Sequence, residues 1–149
     1  MDLLDNKVMG IDYGSIRIGI ATSDLSKKIA FGKNAILNNK SSFEKIADII
    51  RSENISQIVL GYPLNLKGSR TAQTLEVEEF EEGLREYLYS NLKDRSVGIV
   101  RWDERFTSKI AQESMITSGM KKKKRRDKSN IDIISAALLL QSYLDQTSS

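Results

Sequence analysis

The sequence has no histidine and no cysteine in 149 residues. Without imidazole there is no Ser-His-Asp arrangement and no histidine metal ligand. Without thiols there is neither a disulfide framework nor a thiolate zinc site. A metal would have to be held by oxygen, which favours Mg²⁺ or Mn²⁺ over zinc. The glycine fingerprint G-x-G-x-x-G and the phosphate-loop ending G-K-[ST] are also missing, which argues against a dinucleotide or P-loop enzyme. Long apolar runs are absent. The longest, AALLL at Ala136–Leu140, falls far short of the roughly 20 residues that span a bilayer. The N-terminal MDLLDNK lacks the basic and apolar regions of a signal peptide. The expectation is therefore a cytoplasmic protein with no membrane partner.

What is present suits one ordinary domain over residues 1–149, with 40% hydrophobic residues to build a core. The net charge of +3 is unevenly spread. Lys121, Lys122, Lys123, Lys124, Arg125, Arg126 and Lys128 form one basic run, opposed only by Asp127. The remainder of the chain is mildly acidic, about −3. Such a run suits contact with a polyanion; the plainer reading is a solvated basic loop.

Periodicity predicts three closely linked strands at Val8–Asp12, Ile16–Ser23 and Ala30–Leu37, an antiparallel meander. Ile16, Ile18 and Ile20 alternate with Arg17, Gly19 and Ala21. The period then changes. Ser41 or Ser42 caps a helix with Phe43, Ile46, Ala47 and Ile50 on its apolar face. A buried strand follows at Gln57–Gly61. A long helix starts from Ser69 or Thr71 and runs to about Leu92, exposing Glu76, Glu78, Glu79, Glu81 and Glu82. Another strand covers Ser96–Trp102. Thr107 or Ser108 caps a helix to about Ser118, and Asn130 caps the last, from Ile131 to about Leu144. This order predicts a mixed sheet with helices packed on it.

Three acidic sites lie at the ends of these elements: Asp12, the pair Asp103–Glu104, and Asp132. Each has a plain explanation: a turn bond from Asp12 ahead of Gly14, surface pairing of Asp103 or Glu104 with Arg101 or Arg105, and a favourable helix dipole for Asp132. Asp132 shares its helix face with Ser135, Ala136 and Leu139, which directs it toward the sheet. Carboxylates gathered at adjacent buried ends repel one another unless a cation lies between them. One or two Mg²⁺ ions supply that charge and suit phosphodiester hydrolysis without histidine.

Four stretches in order, GIDYGSIRIGIATSD, GYPLNLKGS, DERFTS and NIDIISAALLLQSYL, resemble the YqgF/RuvX family. These are RuvC-like proteins of the ribonuclease H-like fold, described as Holliday junction resolvases or pre-16S rRNA nucleases. The resemblance spans Val8 to Leu144. It implies a five-stranded mixed sheet, three strands antiparallel and the rest parallel, flanked by helices. It also implies catalytic, metal-holding acids at Asp12, Glu104 and Asp132 with Mg²⁺ or Mn²⁺ as cofactor. Adjacent strand residues face opposite ways, so at most one of Asp103 and Glu104 faces Asp12.

The G-x-P-x-N-x-x-G loop maps onto Gly61, Pro63, Asn65 and Gly68. It reads either as a structural turn or as a loop of backbone donors for a phosphate. Nucleic-acid contact is expected of Arg17, Lys67, Arg70 and Arg105 together with Lys121–Arg126. Tyr13 and Trp102, bulky neighbours of the acids, are expected to pack.

The expected partner is structured RNA, in particular pre-16S rRNA, for a monomer or homodimer. The alternatives are a resolvase acting on branched DNA and a nucleic-acid-binding module without catalysis. An ATPase of the actin and sugar-kinase type also has a D-x-G loop, but it needs two such domains.

Overall fold

The computed structural model describes residues 5–106 and 128–147. Five strands form one sheet: β1 (Lys7–Asp12), β2 (Arg17–Ser23), β3 (Ala30–Leu37), β4 (Ile55–Tyr62) and β5 (Gly98–Asp103). Their spatial order is β3-β2-β1-β4-β5. β1 and β3 run antiparallel to β2, whereas β4 is parallel to both β1 and β5. This is the mixed sheet expected from the sequence. Helices α1 (Ser42–Glu53), α2 (Ala72–Asn91) and α3 (Lys128–Thr147), with a 3₁₀ turn at Glu104–Phe106, complete the described elements. The helix expected from Thr107 or Ser108 and the basic run Lys121–Arg126 lie outside the described residues.

Strand alternation sorts side chains onto two faces. Met9, Ile11, Ile18, Ile20, Ile58 and Leu60 are buried with α1 and α2, against residues such as Ile46, Ile50, Phe80 and Leu84. Val8, Ala21 and Val59 are buried on the other face against Ala136, Leu140 and Leu144 of α3. Tyr13 stacks on Phe80 at 4.9 Å between ring centroids, and Trp102 meets Tyr143 edge-on at 5.4 Å. Both rings pack, as expected.

The α3 face of the sheet is lined by small residues. Side chains built at Gly10, Gly19 and Gly32 would strike α3 at Leu140, Asp132 and Ile133 respectively. At Gly19 the obstacle is the backbone carbonyl of Asp132, whose carbon lies 2.8 Å from where a Cβ would sit. Glycine there lets the start of α3 lie directly on β2.

Several local expectations need correction. Ile16 is exposed and precedes β2, which begins at Arg17. Ser41 occupies the cap of α1, but its side chain does not cap; the Asn39 carboxamide accepts from the Ser41 amide and hydroxyl instead. Asn130 lies inside α3 and so does not start it. Thr71, rather than Ser69, caps α2 through a reciprocal bond with Thr74. The acidic face of α2 is not wholly exposed. Glu81 is buried, because Arg101 reaches it from β5 with Nη2 at 2.7 Å and Nε at 3.0 Å.

Candidate active site

β1, β4 and β5 are parallel neighbours, so their carboxyl ends open on the same edge of the sheet. Asp12 closes β1, and Glu104 begins a 3₁₀ turn, Glu104–Phe106, directly after β5. Between them runs β4, where Gly61 pairs with Trp102. A side chain at Gly61 would meet Glu104 Oε1 at 2.5 Å. The missing side chain gives Glu104 room to cross β4 and reach Asp12.

The two carboxyl groups share a hydrogen bond. Burial pushes Asp12 well above the ordinary aspartate range; the negative charge of Glu104, its hydrogen bond and the charge of Asp132 push the same way. Burial also raises Glu104, as does the charge of Asp103, while the bond from Asp12 opposes the rise. Both carboxyls are therefore harder to ionise together than apart.

Asp103 is arranged differently. It accepts Arg105 Nε at 2.9 and 3.0 Å and Nη2 at 2.5 Å, and this pairing holds its carboxyl below the usual range. Of the two adjacent acids, Glu104 faces Asp12 and Asp103 makes the surface pair.

Asp132 lies in the first turns of α3, on the side packed against β2. Its Oδ2 accepts Arg17 Nε at 2.9 Å, and both side chains are about one quarter exposed. Asp12 senses the Asp132 charge. Among the described residues, however, no three acids are close enough to cage an ion. The donor set nonetheless suits a hard divalent cation: two neighbouring carboxyls whose charges oppose each other, with a third nearby.

The remaining expected site residues divide. Arg17 is engaged by Asp132 and Arg105 by Asp103. Arg70 is paired with Glu78, its Nε at 3.1 Å. Lys67 is exposed. The Gly61–Gly68 loop behaves as a structural turn. The Asn65 carboxamide accepts the amides of Lys67 and Ser69 at 3.0 and 2.9 Å, and its carbonyl accepts Gly68 at 2.9 Å. Those amides are consumed internally and are not presented to a phosphate. Pro63 uses its carbonyl to accept the Thr74 hydroxyl, tying the loop to α2. Sequence reasoning missed the Arg17–Asp132 pair, whose partners are 115 residues apart.

A model of the family described as "RuvX: Holliday junction resolvase" matches residues 6–146. The chain belongs to the RuvX family. A relative from Sulfurihydrogenibium sp. (strain YO3AOP1), named "Putative pre-16S rRNA nuclease", is 38% identical over 143 residues, covering 96% of this chain and 92% of the relative. A relative of the same name from Flavobacterium psychrophilum is 37% identical over 138 residues, covering 93% and 96%. The RuvX chain also shares its fold with solved resolvases. T. thermophilus RuvC bound to a Holliday junction substrate gives a TM-score of 0.61 at 10% identity, covering 97% of this chain and 98% of that one. Fowlpox virus resolvase gives 0.56 at 11% identity, covering 96% and 99%.

Proposed function

We propose that this RuvX chain is a divalent-metal-dependent endonuclease acting on structured RNA, with the 5′ end of pre-16S rRNA as its substrate. The observation that carries the reading is the Asp12–Glu104 carboxyl pair at the ends of parallel strands, with Asp132 beside it. Two partly buried acids brought together are costly as a structural device. As ligands awaiting Mg²⁺ or Mn²⁺ they have a purpose. Asp12, Glu104 and Asp132 would hold the ion, whose charge would offset their mutual repulsion. Bound there, a divalent cation would supply Lewis-acid activation of water and of the phosphodiester. The basic run Lys121–Arg126 would hold the polyanion by charge, without reading its sequence. The RNA assignment rests on the names of the curated relatives.

Branched DNA is the second reading, favoured by the likeness to resolvases solved on Holliday junctions. The test compares a 5′-extended 16S precursor transcript with a four-way DNA junction, each with Mg²⁺ and with EDTA. The proposal expects faster cleavage of the transcript, lost in EDTA. Faster junction cleavage favours the second reading, and cleavage of neither substrate overturns both.

A further inference from the structure

Arg17 is bound in a way that sets it apart from the other arginines near the acids. Arg101 grips Glu81 through two nitrogens, and Arg105 grips Asp103 through two. Such forked pairs are strong and geometrically fixed. Arg17 touches Asp132 through Nε alone, at 2.9 Å. Its two terminal amino groups bond nothing among the described residues. A single-point ion pair with both partners about one quarter exposed is easily exchanged.

The backbone beneath this pair is fixed. Gly19, which pairs with Asp12 across β1 and β2, packs directly on the Asp132 carbonyl. The start of α3 therefore has little freedom to slide. What can change is the Asp132 carboxylate, which has two claimants: the guanidinium of Arg17 and any cation between Asp12 and Glu104.

We propose that Arg17 is a positioning residue that competes with the divalent ion for Asp132. With no ion bound, the cluster separates into the Asp12–Glu104 pair and an Arg17-neutralised Asp132. Ion entry requires Asp132 to leave Arg17, so Arg17 sets the ion concentration at which the site assembles. This inference rests on the metal-dependent reading above.

The test is Mn²⁺ affinity measured by electron paramagnetic resonance without nucleic acid, for wild type, Arg17→Gln and Arg17→Lys. Removing the competitor should tighten Mn²⁺ binding about 5-fold or more, the lower range of ordinary coupling between ligands. Arg17→Lys keeps the charge and should return affinity toward wild type. A structural role alone would leave affinity unchanged or weaken it in Arg17→Gln, and either result overturns the inference while wild-type binding keeps the metal site intact. If wild type binds no Mn²⁺, the metal reading fails and this inference fails with it. Should Arg17→Gln not fold, the Arg17 Nε–H resonance of wild type decides. It should lose protection as Mg²⁺ is added; an unchanged signal at saturating Mg²⁺ contradicts the proposal.

Discussion

At the scale of single residues, Asp12 is the side chain whose position demands an explanation. Its ionised form is disfavoured by burial and by Glu104, so its folded-state pKa is raised. The sign follows. Below the unfolded aspartate pKa the carboxyl is protonated in both states and costs nothing. Between that value and the raised folded one, the unfolded chain releases the proton more readily, so stability falls as pH rises. An asparagine side chain in its place would donate to Glu104 without any proton to lose. The Asp12→Asn variant should therefore match wild type near pH 3 and melt higher at neutral pH without metal. About 1 kcal/mol would appear as roughly 2–4 °C. Calorimetry across pH checks this; a variant less stable at neutral pH would contradict it. The position of Asp12 at a strand end was legible from the apolar run before it. That one of Asp103 and Glu104 joins it was legible too; which one was not, because Glu104 reaches it only across a strand that carries glycine at position 61.

At the scale of elements, the glycines facing α3 set how closely that helix approaches the sheet. Gly19→Ala drives a methyl group into the Asp132 carbonyl, 2.8 Å from its carbon. The obstacle is backbone, so α3 must shift and carry Asp132 with it. Overpacking of this kind costs about 1–3 kcal/mol. Gly98→Ala is the matched control, since nothing lies within 4 Å of its added methyl. It should stay within about 0.5 kcal/mol of wild type. Urea midpoints compare the two, and equal midpoints would show that α3 is not held as described.

Element order and type were readable from periodicity, because strand and helix periods depend on near neighbours. Features that depend on distant partners were not. Glu81 reads as one of several exposed acids on α2, but Arg101 on β5 draws it inside. Asn65 reads equally as a phosphate-loop residue, yet its carboxamide closes the turn on itself.

At the scale of the whole molecule, charge and chemistry are separated along the chain. The acids gather where parallel strands end, whereas the basic run occupies a continuous stretch of sequence, Lys121–Arg126. A nuclease needs both: positive charge for the polyanion and acids for the ion that reacts with it. The central claim is that Asp12 serves the reaction at the expense of the fold. It is tested most directly by single-turnover cleavage of the 16S precursor transcript in Mg²⁺ by wild type and Asp12→Asn. The account predicts a loss of at least about 100-fold in the variant, beyond the usual cost of disturbing a group that only supports a metal ligand. Equal rates in the two proteins would contradict it.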